Sequence, residues 1–152
     1  PDGLEEVEFL FSANPGQPLK PLGKVASGGE LSRVSLAIQV ICARNLTVPS
    51  LVFDEVDVGV GGGVAEIVGR LLRELGQHAQ VLCITHQPQV ASQGHQHWQV
   101  HKIQGDDTTH TRIQGLDETA RVEELARMLG GVEITESTRN HAKEMLSKAQ
   151  AA

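Results

Sequence analysis

Pro49-Ser50-Leu51-Val52-Phe53-Asp54-Glu55 is a short apolar run that ends in two adjacent carboxylates, and Gln80-Val81-Leu82-Cys83-Ile84-Thr85-His86 is a second, ending at a histidine. Between them Val64, Ile67, Val68, Leu71, Leu72 and Leu75 recur at three- and four-residue spacing, closed by Gly76. Short apolar runs without polar alternation predict parallel strands buried on both faces, and the periodic stretch between them predicts the crossover helix. Both strands then run the same way, so Asp54, Glu55 and His86 emerge at one edge. That edge, at the carboxyl ends of parallel strands, is where open α/β sheets bind ligands.

Upstream, residues 7–12 (VEFLFS) read as a strand, and residues 13–29 (ANPGQPLKPLGKVASGG) as a proline- and glycine-rich loop. A connection of that length is more often functional than not. From Leu31 the pattern is helical through Val34, Ser35, Ile38, Ile41 and Cys42, but Leu36, Ala37 and Val40 are apolar too. A helix apolar on nearly every side belongs inside a larger body. Ser27 and Glu30 stand in capping-box spacing, which starts this helix at Gly28-Gly29. Downstream, residues 97–103 and 110–116 read as two antiparallel strands. Two helices follow: Val122, Leu125, Ala126 and Leu129 line the first, which stops at Gly130-Gly131. Ala142, Met145, Leu146 and Ala149 line the second, with Thr135 as its cap.

With 152 residues and 39% apolar content, the chain is long enough for one domain with a real core. No apolar run approaches the roughly 18 residues that span a bilayer, and the opening PDGLEEVEF lacks the character of a signal peptide. Cys42 and Cys83 each sit inside an apolar run, as buried free thiols of a reducing compartment would. These features together predict a cytoplasmic protein. A net charge of −6 argues against this segment being the main surface for nucleic acid, because phosphate neutralisation requires a basic excess.

Three features carry candidate chemistry. Adjacent carboxylates at a sheet edge can hold Mg²⁺ with the first and activate water with the second; the bland alternative is a charged, solvated turn. Ser27-Gly28-Gly29 at a helix start offers free N–H groups and the positive end of the helix dipole to an anion, or is merely a capped start. His86, just past a buried strand, can donate to a phosphate, although a lone histidine is more often structural. His95, His97 and His101 share a face if residues 94–102 form a strand. With no Cys, Asp or Glu beside them, a solvated strand face is favoured over a zinc site. The charge-rich DETARVEELARML (residues 117–129) reads as a surface helix packed on the body.

Taken in order, helix-start anion site, Asp-Glu strand, helix and strand with histidine resemble the C-terminal half of an ABC-type ATPase head. SGGE resembles the ABC signature, LVFDE the Walker B strand and ITH the switch histidine. Across nearly the whole chain, from VEFLFSANPGQPLKPLGKVASGGELSRVSLAIQVI to RVEELARMLGG, the sequence is similar to the RecN family of SMC-like bacterial DNA-repair proteins. That resemblance implies a P-loop NTPase-like α/β half-domain: parallel strands flanked by helices, then a short antiparallel pair and two C-terminal helices. It implies that residues 1–152 are the C-terminal lobe of a head whose N-terminal half carries Walker A, the two halves being joined through a coiled-coil arm. Two such heads sandwich ATP and Mg²⁺ in a homodimer, the complete protein engages DNA in double-strand-break repair and recombination, and it works on the nucleoid.

By position, the resemblance gives Asp54 to Mg²⁺, Glu55 to the general base and His86 to the γ-phosphate. It gives Ser27, Gly28, Gly29 and Glu30 to the nucleotide of the opposite head. Ala26 stands where many ABC proteins have Leu, and Gly61 where the usual D-loop aspartate falls, which leaves the role of Asp57 open. No GxxxxGK[ST] occurs in the chain, so the β- and γ-phosphates lack their main cradle. Two rivals share some of these marks. A transporter nucleotide-binding domain ordinarily follows Walker B with Ala-Thr or Pro-Thr, not Val56-Asp57. A non-enzymatic module would be expected to have lost Glu55 or His86.

Overall fold

A computed structural model describes residues 3–4, 7–12, 15–25, 28–42, 48–54, 56–104, 108–131 and 133–151. In chain order the elements are β1 (Leu10–Phe11), β2 (Lys20–Pro21), α1 (Leu22–Val25), α2 (Gly28–Cys42), β3 (Ser50–Asp54), α3 (Gly62–Leu75), β4 (Gln80–Ile84), α4 (Pro88–Ala91), β5 (Trp98–Gln104), β6 (Thr109–Gly115), α5 (Glu118–Gly130) and α6 (Glu136–Ala151).

β3 and β4 pair in parallel, in register from Ser50 opposite Gln80 to Asp54 opposite Ile84, with α3 as the crossover. One face of the pair is covered. Phe53 is buried, and Leu51, Val81 and Cys83 pack into a core made with Leu36 of α2 and with Val68, Leu72 and Leu75 of α3. The other face is bare, contrary to the expectation of burial on both sides. Val52, Leu82 and Ile84 are 65%, 51% and 59% exposed. Side chains alternate across a strand, so a continuous apolar run supplies two apolar faces, and α2 and α3 cover one of them. α2 shows the same imbalance: it starts at Gly28 as its spacing predicts and buries Leu36, yet Leu31, Ile38 and Ile41 are exposed. Cys42, expected to be buried, is exposed with that side of the helix, and both cysteines are free.

The inward stripe of α3 is Ala65, Val68, Gly69, Leu72 and Leu75, while Val64 and Ile67 face outward, a rotation from the expected stripe. Gly69 explains it. A Cβ there would lie 2.8 Å from the Gln93 side chain and 3.1 Å from both Gln89 O and Val90 Cα, so α3 lies directly against α4. α4 itself is too short, at four residues, for sequence periodicity to reveal.

Toward the start, the strand expected at 7–12 contracts to β1, which pairs antiparallel with β2. The presumed loop therefore holds a strand and, in α1, one helical turn. Pro21 has no N–H with which to extend the ladder, and the apolar Val7 and Phe9 remain exposed.

The second core joins Ala91 to Leu125, Ala126, Ala142 and Leu146, with Val122 and Leu129 packed against it, as the two apolar stripes predict. Asp117 caps α5, accepting from Ala120 N at 2.8 Å, and Thr135 caps α6, accepting from Thr138 N at 3.2 Å. α5 is not simply a surface helix. Arg121 is buried and donates to Gly94 O at 2.6 Å, and buried Glu124 accepts from Arg127 at 2.6 and 2.8 Å. These bonds offset part of the cost of burying the two charges, with Arg121 Nε left unpartnered. β5 and β6 form an antiparallel pair from Trp98 opposite Gly115 to Gln104 opposite Thr109.

Candidate functional site

Parallel pairing fixes where the chemistry sits. Asp54, the last residue of β3, is exposed and lies opposite Ile84, the last residue of β4, after which come Thr85 and His86. After Asp54 the chain turns through Val56, Asp57, Val58 and Gly59. Val56 drops into the core and is fully buried. Gly59 takes φ 71°, a left-handed conformation that glycine enters without strain. Arg33 of α2 donates to Val58 O at 3.4 Å, which ties this turn to the helix.

Asp57, whose role the sequence leaves open, is 1% exposed. Its Oδ2 accepts from the Thr85 hydroxyl, and the same hydroxyl oxygen accepts from Gln87 N at 2.9 Å. Its Oδ1 is buried with no hydrogen-bond partner and lies 4.0 Å from His86 Nδ1. The His86 side chain is 67% exposed. Directly behind the edge, burial pushes the Cys83 thiol up to about 12, helped by the carboxylates of Asp57 and Asp54. At neutral pH Cys83 is therefore a protonated packing residue rather than a thiolate ligand.

The structure thus brings Asp54, Asp57 and His86 to one sheet edge. Gly28, Gly29 and Glu30 form the first turn of α2, a separate element, with Glu30 as the acidic residue of that turn. Ser27, Ala26 and Glu55 lie outside the described residues. Chemically, Asp54 offers a hard oxygen donor of the kind Mg²⁺ takes in ones or twos, completing its octahedron with water and substrate phosphates. Its exposed carboxylate at the mouth of the edge fits that use.

His95, His97 and His101 do not form the shared strand face expected of them. β5 begins at Trp98, so His95 and His97 precede it. They line an open cavity of about 560 Å³ with Trp98, Asp117 and Arg121. Burial lowers the pKa of His97, and the Arg121 guanidinium lowers it further. Among the described residues no group of three His, Cys, Asp or Glu is arranged to hold a metal, and no helix is long and apolar enough to cross a membrane.

No family model matches the chain. Curated relatives match nearly all of it. The DNA repair protein RecN of Vibrio cholerae is 58% identical over 149 residues, which cover 98% of this chain and 27% of the relative. RecN of Haemophilus influenzae is 51% identical over 95% of the chain, and RecN of Bacillus subtilis 48% over 97%, each match covering 26% of the relative. The chain therefore spans about a quarter of the length of these relatives, in their C-terminal part. Among solved structures, a chain from a study of ATP-driven dimerization and DNA-stimulated activation of SMC ATPases superposes with a TM-score of 0.53. It is 18% identical, and the match covers 82% of this chain and 81% of that one, a likeness of fold. Over nearly its whole length this chain matches the C-terminal part of RecN-family proteins, and its α/β fold is like that of an SMC ATPase.

Proposed function

We propose that residues 1–152 are the C-terminal lobe of an SMC-like ATPase head that hydrolyses ATP in DNA double-strand-break repair and recombination. The observation that carries this reading is the shared edge of β3 and β4, which holds an exposed carboxylate, Asp54, beside the Thr85-His86 turn. In it, Asp54 holds Mg²⁺, Glu55 deprotonates the attacking water and His86 contacts the γ-phosphate. Ser27, Gly28, Gly29 and Glu30 reach the nucleotide of a second head, so the working unit is a homodimer around ATP.

The bare face of Val52, Leu82 and Ile84 supports the partner assignment. An apolar surface continuous with the site edge is what a Walker A half of the same polypeptide would cover, and it would bring the phosphate cradle that this chain lacks. An acidic net charge of −6 supports DNA contact elsewhere in the complete protein. The setting is cytoplasmic, on the nucleoid.

The signature serine separates this reading from one in which all the chemistry is local. In the complete protein, Ser27→Arg should leave ATP binding to a single head within about twofold and block ATP-driven head association. Equilibrium nucleotide binding and sedimentation with ATP and Mg²⁺ measure the two. Equal loss of both would assign Ser27 to folding or to its own head's nucleotide.

A further inference from the structure

Asp57 is the most unusual group in the described residues: a carboxylate with 1% exposure, one oxygen satisfied and the other not. A buried acceptor without a donor costs on the order of 1–3 kcal/mol, more when it is charged. Such a cost persists when the surrounding fold imposes it or when the missing donor arrives during function. Here the fold fixes the carboxylate firmly. Thr85 holds Oδ2, the neighbouring Val56 is buried in the core, and Val60 N donates to Asp57 O at 3.4 Å. The nearby donor is equally plain: Nδ1 of His86, 4.0 Å from the orphaned oxygen, on a ring exposed enough to turn. Catalytic hydrogen bonds that are long without substrate commonly tighten when it binds.

We infer that Asp57 is a positioning residue for His86, accepting a hydrogen bond from Nδ1–H and so fixing the tautomer and direction of the imidazole. This inference rests on the ATPase reading above and adds the control of its histidine. With Nδ1–H held by the carboxylate, Nε2 on the opposite side of the ring is the nitrogen left for phosphate. A phosphate oxygen approaching Nε2 binds best to an imidazolium, whose second proton is taken up from bulk solvent as the anionic phosphate binds. The carboxylate behind the ring balances that charge, as the buried acid of a hydrolase triad does for its histidine. Thr85 also has a defined part: its hydroxyl spans Asp57 and the Gln87 amide, locking the carboxylate to the turn that carries His86. The coupling runs between the segment after β3 and the segment after β4, so the register of the parallel pair determines whether it forms.

Two measurements on the complete protein test this. The first is kinetic: kcat and KM for MgATP in the parent, Asp57→Asn, His86→Ala and the double variant. Asp57→Asn should lower kcat roughly 10- to 100-fold with KM within about twofold. In the His86→Ala background it should lower kcat no further, because a residue that acts through the ring has nothing left to act on. Independent losses that multiply in the double variant, or a parent-like kcat for Asp57→Asn, would overturn the inference. If His86→Ala itself turns over at the parent rate, the assignment of His86 to the nucleotide fails, and the inference with it. The second measurement needs no variant of Asp57 to fold: long-range ¹⁵N–¹H correlation of histidine-labelled, nucleotide-free protein, assigned with His86→Gln. His86 should show the Nδ1–H tautomer. A dominant Nε2–H tautomer would overturn the coupling whatever the ATPase assays show.

Discussion

Glu55→Gln in the complete protein is expected to hydrolyse ATP at least roughly a hundredfold more slowly than the parent and to accumulate as an ATP-bound head dimer. The argument is one of proton affinity. A general base at this position takes a proton from the attacking water, a role typically worth about 10²–10⁴ in rate. Gln keeps the shape and one acceptor oxygen but cannot take the proton, and in the proposed role it would remove a negative charge facing the triphosphate. Binding should therefore hold or tighten while turnover stops. Asp54→Asn should differ, because it weakens the oxygen donor assigned to Mg²⁺ and with it productive nucleotide binding. Size-exclusion with ATP and Mg²⁺ separates the two: a persistent dimer for Glu55→Gln, mostly monomer for Asp54→Asn. Parent-rate hydrolysis by both variants would mean that other residues carry the chemistry.

The second large effect is expected at Leu82, a residue that touches no substrate. In this chain Leu82 is 51% exposed on the uncovered side of β4. Leu82→Lys should therefore change the thermal stability of the isolated chain by no more than about 0.5 kcal/mol, the usual range for surface substitutions. Against the N-terminal half the same substitution would bury an unpaired ammonium, at a cost of several kcal/mol after relaxation. At about 1.4 kcal/mol per tenfold, the affinity between the two halves should fall by a hundredfold or more, and assembled ATPase activity should fall with it. Calorimetric titration of one half into the other checks the first loss, and phosphate release checks the second. Unchanged association would show that the bare face is not where the Walker A half docks.

These two predictions draw on different sources. The proposal for Glu55 comes from the sequence alone, from a strand ending in two carboxylates, and the residue itself lies outside the described positions. The bare face emerges only in the structure. The sequence of β3 and β4 correctly predicts two parallel strands, but the expected burial holds for only one of their faces. It cannot reveal that this chain supplies cover for one alone, since periodicity records what a side chain needs and not what meets it. Cys42 shows the same limit, as an apolar-run cysteine that ends up exposed.

Asp57 illustrates the opposite failure. Its position three residues after Asp54 carries no periodic or motif signal of burial, and charged residues near a turn are ordinarily solvated. What places it inside is tertiary: Val56 enters the core, Gly59 permits the tight turn, and Thr85, 28 residues away just past β4, arrives to receive it. The pairing in the sequence that could have suggested this is a hydroxyl and a histidine side by side after β4. α4 went unseen because it is short, and the inward turn of Arg121 and Glu124 because both are charges on a polar helix. Their partners, the Gly94 and His95 carbonyls and the Gln99 and Arg127 side chains, lie on the chain before α5, on β5 and on α5 itself. The Thr135 cap of α6, by contrast, and the stripes that pack α5 on α6 follow directly from residue spacing.

The half-head assignment is tested most directly by phosphate release from the purified chain with and without the matching N-terminal half. Alone, lacking a phosphate-cradling loop, the chain should release none above background in ATP and Mg²⁺. Adding the N-terminal half, in trans or by fusion, should produce Mg²⁺-dependent turnover that Glu55→Gln abolishes. Steady turnover by the chain alone, lost on Glu55→Gln, would contradict the assignment and make these residues a self-sufficient ATPase.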